Sequence, residues 1–276
     1  EAVSARAAKA KGAAQMLSTQ TSVAVEDVAK ALGHAPWYQL YMPVRWPEAE
    51  RMVGRVEQAG CPVIAWTIDL LAGRNAESAL KSMRLDSRDC TSCHVVSPRG
   101  GSTIQNNQTK PMWKGLSGEM NPSNATWATV EKLKRATKMK VILKGIDTAE
   151  DAKLARESGA DGIVVSNHGG RATETGRATI DILPEVIDAV GANYHVFVDG
   201  GFRRGSDIYK ALALGAKAVG IGRAYIYGLA TFGQDGVERV IDILRAELAL
   251  TMRQCGTPAV RNITRASVLR NGARLP

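Results

Sequence analysis

The chain has 276 residues, 45% hydrophobic and 5% aromatic, with a formal net charge of +9 from 36 basic and 27 acidic side chains. That suits one large core, and no run of about eighteen uncharged apolar residues occurs, so no membrane span is expected. The basic residues are spread along helical stretches without a Lys/Arg block, which points away from nucleic acid and toward small anions such as phosphate and carboxylate.

Glu1 opens the chain in place of Met, and no signal-like segment follows, so either a targeting segment has been removed or the true N-terminus is missing. Residues 1–12, "EAVSARAAKAKG", read as the tail of a helix. The apolar run "AAQMLS" (13–18) follows, then helix-like "SVAVEDVAKALG", "WYQLYM" (37–42), helix-like "WPEAERMVGRVEQAG" and "PVIAWTID" (62–69). After a long gap come helix-like "NATWATVEKLKRAT", "KVILKG" (140–145), "TAEDAKLARESG" and "GIVVSN" (162–167). The series continues with "TIDILPEVIDAVG", "HVFVDGG" (195–201), "GSDIYKALALGA" and "AVGIG" (218–222). Several helical segments end in Gly, as helix C-termini prefer.

Alternating strand and helix implies a parallel sheet, and apolar runs without polar alternation imply strands buried on both faces. Seven runs are one short of a (β/α)8 barrel. A TIM barrel lacking its first strand is expected, with a seven-stranded open sheet as the alternative, because the polar motifs sit at strand C-terminal ends. One domain over 1–276 is expected, with a long mobile connection at about 74–122 that is rich in Ser, Asn, Gly and Pro.

"SNHGGR" (Ser166–Arg171) follows the run "GIVV". His168 is a base near neutral pH, the glycines permit a tight turn, and Arg171 can grip a carboxylate by two parallel hydrogen bonds. Together they suit proton removal next to a carboxylate; the alternative is a Gly-rich turn with a solvated Arg. In "VDGGFRRGSDIYKALALGAKAVGIGR" (198–223), "DGG" and "GIGR" end consecutive strands. Exposed backbone N–H groups there, with Arg203 and Arg223, form the phosphate site expected after the last two strands of such a barrel. Lys144 in "VILKGI" needs an anionic partner or a depressed pKa if buried. Thr67 and Asp69 share a strand face, as do Gln39 and Tyr41; Asp69 could orient a His. Taken singly, these strand residues are equally explained by core packing.

In this order "LST", "WYQLY", "WTID", "LKGI", "SNHGGR", "DGGFRRGSDIYKALALGA" and "GIGR" resemble the FMN-dependent α-hydroxy acid oxidases and dehydrogenases. That family includes glycolate oxidase, lactate oxidase, mandelate dehydrogenase and flavocytochrome b2. The resemblance runs from about residue 5 to "ITRASV" at 263–268. It implies a (β/α)8 barrel with FMN at its C-terminal mouth, oxidising a lactate-, glycolate- or mandelate-like L-2-hydroxy acid to the 2-oxo acid. His168 would take the hydroxyl proton while a hydride equivalent passes from Cα to flavin N5. Asp69 would pair with that His, Arg171 would bind the substrate carboxylate, and Tyr41 would bond near the reacting oxygen. Lys144 would lie by flavin N1 and O2, and Ser18, Gln39 and Thr67 would hydrogen-bond the ring. Asp199 would take the ribityl hydroxyls, with Gly201, Arg203, Gly222 and Arg223 on the phosphate. The resemblance also implies a tetramer. The acceptor of the electrons, oxygen, quinone or cytochrome, stays open.

The family's first strand and an N-terminal substrate-binding Tyr have no counterpart here. "GRNAES" stands where the family has Gly-x-Arg-Glu, leaving Arg74 as the second substrate cation with Asn75 competing. Gln20 replaces a Trp found in glycolate oxidase, so the substrate's side chain is not legible.

Cys61 and Cys255 read as ordinary core or near-surface residues, whereas Cys90, Cys93 and His94 in "RDCTSCH" spell the pattern that attaches c-type haem. Met112 and Met120 are candidate second axial ligands. A cytochrome domain has no room in the connection. A disulfide in an oxidising compartment or two cytosolic thiols are the alternatives, and three adjacent ligands argue against zinc. The cytoplasm is favoured, or the periplasm if haem is attached. Other functions remain open: a flavin/c-haem electron-transfer dehydrogenase, an inactive truncated remnant, or a different phosphate-binding barrel enzyme.

Overall fold

All seven apolar runs become strands of one parallel sheet. In the computed structural model, which describes residues 1–73, 77–85, 110–172, 176–270 and 273–274, they are β1 (Met16–Ser18), β2 (Trp37–Leu40), β3 (Val63–Thr67), β4 (Lys140–Ile146), β5 (Gly162–Val165), β6 (His195–Val198) and β7 (Ala218–Val219). They pair side by side in chain order, every pair parallel. Around them run α1 (Ala2–Lys11), α2 (Val25–Leu32), α3 (Trp46–Gln58), α4 (Glu77–Leu85), α5 (Trp127–Ala136), α6 (Ala149–Glu157), α7 (Thr179–Val190), α8 (Gly205–Ala213) and α9 (Arg223–Gln254). A short antiparallel pair, β8 (Leu269–Arg270) and β9 (Ala273–Arg274), follows.

The sheet is curled. Trp37 on β2 and Phe197 on β6 meet edge to face, ring centroids 5.2 Å apart. In a flat sheet strands four places apart lie about 19 Å from each other, so only a curved sheet brings these rings together. They join Val63, Ala65, Ile142 and Val164 in a small interior cluster. The alternate residues, including Ile64, Trp66, Leu143, Ile163 and Val196, pack outward in the main core. This is the two-sided burial that runs without polar alternation imply.

The helical layer closes on itself: α1 packs on α9, where Lys11 Nζ lies 2.7 Å from Asp242 and Arg245 donates to the Lys11 carbonyl at 2.5 Å. Beneath that contact β1 and β7 do not pair with each other among the described residues. The architecture is a (β/α)8 barrel with seven strands, the first of the two sequence-derived alternatives.

Three features depart from expectation. The strands stop earlier than their apolar runs, because glycines such as Gly200 (φ +96°) and Gly201 (φ +84°) turn the chain out of the sheet. The helix α9 was not anticipated; Gly233 (φ 61°, ψ −134°) breaks it near its first third. Within the expected connection, Glu77–Leu85 is helical, and residues 119–121 lie against the end of β2, the Val44 N–H donating to Glu119 O at 2.8 Å and the Asn121 N–H to Met42 O at 2.7 Å. The same packing buries Met112 and Met120 to 2% and 7% exposure in the main core. Met120 Sδ accepts a hydrogen bond from Gln20 Nε2 at 3.2 Å.

No helix among the described residues is long and apolar enough to cross a membrane.

Candidate active site

Strand alternation carries polar groups to one end of the barrel. Ala65, Ile142, Val164 and Phe197 face the interior, so Thr67, Lys144, Ser166 and Asp199, two residues further on, face the same interior at the C-terminal mouth. Gln39 follows Trp37 in the same way. Neighbouring strands then join through these side chains. Gln39 Nε2 donates to Thr67 Oγ1 at 2.5 Å. Lys144 Nζ donates to Ser166 Oγ at 2.9 Å and lies 3.1 Å from Asp199 Oδ2. Ser166 Oγ donates to Asp199 Oδ1 at 2.6 Å. The anionic partner that a buried Lys144 requires is thus Asp199.

Beyond the end of β3, Asp69 stands with its side chain only 2% exposed, its two oxygens 3.1 and 3.3 Å from His168 Nδ1. A carboxylate only accepts, so we assign the ring proton to Nδ1. Nε2 then carries the free lone pair, 3.3 Å from the Tyr41 hydroxyl. Two backbone devices make this approach possible. Strand β4 has a bulge between Lys144 and Ile146; in it Gly145 adopts φ +111°, and a Cβ there would stand 2.5 Å from Asp69 Cβ. His168 itself has φ 57°, a left-handed conformation costing about 1–2 kcal/mol for a residue with a Cβ. Its N–H donates to Ser166 Oγ at 3.1 Å. Nearby, burial, with Asp151 and Asp69 adding to it and Arg177 opposing, raises the Asp147 carboxyl above its ordinary value.

The left-handed turn continues through Gly169 and Gly170. The Asn167 carbonyl accepts from the N–H groups of Gly170, Arg171 and Ala172 at 3.0, 3.1 and 3.3 Å. Arg171 is exposed on this turn. Arg223 Nη2 reaches back across it to Gly169 O at 2.6 Å. Arg203 is exposed just before α8, its N–H on Asp207 Oδ2 at 3.0 Å. A Cβ at Gly201 or Gly222 would meet nothing within 4 Å. Open backbone, two exposed guanidinium groups and the N-termini of α8 and α9 therefore share this side of the mouth, as an anion site requires.

Tyr41, Asp69 and His168 form one cluster, and Lys144 and Asp199 a second, linked to it through Ser166. Ser18, Arg171, Gly201, Arg203 and Gly222 reach the mouth through their strand ends and turns. Arg74, Asn75, Cys90, Cys93 and His94 lie outside the described residues. Thr19, which the sequence reading passed over, is fully buried; it donates to Gln39 O at 2.7 Å and accepts the Tyr41 N–H at 2.9 Å, fixing the base of Tyr41. Its only sequence signal was its place beside Ser18. Among the described residues no group of three or more His, Cys, Asp or Glu is placed to hold a metal ion.

A family model described as FMN-dependent dehydrogenase matches residues 1–270. A peroxisomal (S)-2-hydroxyacid oxidase of Arabidopsis thaliana is 38% identical over 279 aligned residues, spanning 100% of this chain and 74% of that protein. An L-lactate oxidase of Lactobacillus jensenii is 37% identical, over 97% of this chain and 64% of its own. Among solved structures, mandelate oxidase with (S)-2-phenylpropionate superposes with a TM-score of 0.79 at 35% identity, covering 95% of this chain and 71% of that one. A putative lactate oxidase of Pediococcus acidilactici superposes at 0.80, with 33% identity over 95% and 68%.

Proposed function

The chain belongs to the FMN-dependent dehydrogenase family, and from that premise we propose that it oxidises an L-2-hydroxy acid to the 2-oxo acid at the mouth of its barrel. One observation carries the reading: His168 holds one ring nitrogen on a buried carboxylate and turns the other toward Tyr41. Such a pair is built to take a proton and stabilise the resulting imidazolium.

The residues present fit FMN. Open glycine backbone with Arg203 and Arg223 suits its phosphate, and Asp199 suits ribityl hydroxyls. Lys144, 12% exposed, supplies a cation beside the polar strand ends Ser18, Gln39 and Thr67, where an electron-rich ring would rest. When bound, FMN supplies the acceptor for the hydride equivalent that leaves the substrate Cα. The protein's own groups do the rest. His168 removes the hydroxyl proton at Nε2, and Asp69 keeps the ring oriented and balances its charge. Arg171 clamps the substrate carboxylate bidentately, with Arg74 as a second cation. Tyr41 donates toward the reacting oxygen.

The test is an anaerobic absorption spectrum of the FMN-loaded chain before and after L-lactate, glycolate or L-mandelate. Bleaching of the flavin bands by at least one of them is expected. His168→Ala should slow that bleaching about 100- to 10,000-fold while FMN stays bound; bleaching at the native rate would remove His168 from the mechanism. The relatives named as oxidases favour oxygen as the acceptor, which peroxide formation on aeration would register. The same spectrum addresses Cys90, Cys93 and His94: a Soret band surviving denaturation would mean covalent haem.

A further inference from the structure

We propose that Gln20 and Lys110 form the side-chain end of the substrate site and select L-2-hydroxy acids that carry a second carboxylate. The inference rests on the reading of this mouth as a hydroxy-acid oxidation site and names the substrate class that it takes.

Gln20 is held beside Tyr41. It leaves the end of β1 directly after Thr19, whose hydroxyl accepts the Tyr41 N–H at 2.9 Å. Its Nε2 lies 3.2 Å from Met120 Sδ, and Met120 bridges to Pro43, just beyond Tyr41 on the way out of β2. Arg171 follows β5, which is four places from β1 in the curled sheet and so across the barrel from it. A substrate with one carboxylate on Arg171 and its hydroxyl between His168 and Tyr41 therefore points its remaining substituent toward Gln20.

What that substituent would meet is polar and cationic. Lys110 Nζ donates to Gln20 Oε1 at 2.7 Å. An ammonium only donates, so the contact fixes the amide with its oxygen on Lys110 and its N–H donors turned the other way. Among the described residues those donors have the Met120 thioether as acceptor, which is a weak one. The Gln20 carbonyl orients the Lys110 ammonium without neutralising it. A carboxylate arriving here gains charge-assisted hydrogen bonds, whereas an alkyl group gains nothing from the amide or the ammonium. Fastening the chain does not explain the pair. The segment from Pro111 to Asn121 is already tied down by Arg55 on Pro111 O at 2.7 Å, Arg51 on Gly115 O at 3.2 Å, and the Glu119 and Asn121 bonds to the exit of β2.

The experiment measures kcat/KM of the FMN-loaded chain for two matched pairs of acids. L-malate is set against L-2-hydroxy-4-methylpentanoate, and L-2-hydroxyglutarate against L-2-hydroxy-5-methylhexanoate, so that within each pair a carboxylate replaces a branched alkyl group of the same shape. In at least one pair the dicarboxylate should be preferred by about tenfold or more. That ratio should fall about 10- to 100-fold in Lys110→Met and about 3- to 10-fold in Gln20→Leu, as loss of a charged and of a neutral hydrogen bond predicts. It should not change in Lys114→Met, which removes an exposed positive charge from the same segment. A second readout needs no turnover: the Kd of the 2-oxo acid made from the preferred dicarboxylate, followed by its perturbation of the flavin spectrum, should rise about 10- to 100-fold in Lys110→Met. A wild-type preference below about tenfold in both pairs, a ratio unmoved in Lys110→Met, or an equal fall in Lys114→Met would overturn the proposal. Flavin reduced by none of these acids, nor by L-lactate, glycolate or L-mandelate, would mean that the reading of the mouth itself has failed. Flavin reduced by the alkyl or monocarboxylic acids with no preference for a dicarboxylate would sink this inference alone.

Discussion

Gly145 shows how one missing side chain can set an active site. The β4 bulge presses its backbone against Asp69, and an added Cβ would stand 2.5 Å from Asp69 Cβ and 2.8 Å from Asp69 N. Backbone cannot yield as a flexible side chain does, so Gly145→Ala must push Asp69 away from His168 or open the bulge. Overpacking of this kind costs about 1–3 kcal/mol, and the positive φ adds to it. We expect flavin reduction to slow by at least about 100-fold, with a lower urea midpoint; a variant that reduces flavin at the native rate would show that Asp69 does not depend on this contact. The same scale explains what could be read in advance. His168 and Arg171 stood out together in "SNHGGR", with a Gly-rich turn and a solvated Arg as the alternative; the two-residue period placed Tyr41 beside Gln39 and Asp69 beside Thr67 on a strand face, and the resemblance alone implied the role of Tyr41. Ser166 stood inside a quoted motif with no role, since its partner Asp199 is 33 residues away. Thr19 was silent for the same reason: its acceptor is on the next strand. Gly145 could not be read at all without knowing that β4 bulges against the end of β3.

Elements are held in register by charges outside the mouth, and Asp161 is the clearest case. It precedes β5 and receives the Val141 N–H at 2.7 Å at the start of β4, with Lys134 of α5 and Lys140 also on its oxygens. Burial alone would raise its pKa, but the Lys134 and Val141 hydrogen bonds and the two lysine charges outweigh burial and hold it below the ordinary value. A folded-state value below the unfolded one makes this stabilisation complete above about pH 4 and lost as the pH falls further. Asp161→Asn should therefore cost about 1–2 kcal/mol at pH 7 and much less at pH 3, by urea unfolding at each pH. An equal cost at both would mean that the carboxylate charge is irrelevant. Element identity was legible where periodicity was strong: β-branched runs in the strands, and helical spacing in α2, α3 and α5 through α8, several of them followed by a glycine; α4 was read as part of the long connection. The helix α9 was not legible, because its pattern is interrupted. Gly233 breaks it, and Gly228 and Gly236 pack so closely that a Cβ at Gly236 would stand 2.0 Å from the Gly228 oxygen. Such a crossing depends on glycines that a helical pattern counts against itself.

At the scale of the whole molecule, closure by helices and closure by strands are separate matters. The contact of α1 with α9 completes the outer layer through Lys11, Asp242 and Arg245, while β1 and β7 each pair on one side only among the described residues. Curvature does not need the final pairing, since the Trp37–Phe197 contact and the interior cluster already bend the sheet. Stability along the sheet should nonetheless be uneven, because amides that pair on one side open without disrupting two neighbours. The central strands β3, β4 and β5 are buried on both faces and paired on both edges; β1 and β7 are short, and β7 is partly exposed. Hydrogen exchange followed by mass spectrometry should show amides of β1 and β7 exchanging at least about 100-fold faster than those of β4. The consequence reaches the site, because Ser18 leaves β1 and Gly222 and Arg223 follow β7. The two ends of the proposed FMN site would then lie on the least protected strands, and cofactor binding should slow their exchange more than that of β4. Equal protection of β1, β7 and β4 before FMN is added would mean that both edges are covered in solution, and that the outer strands owe their order to pairing rather than to cofactor.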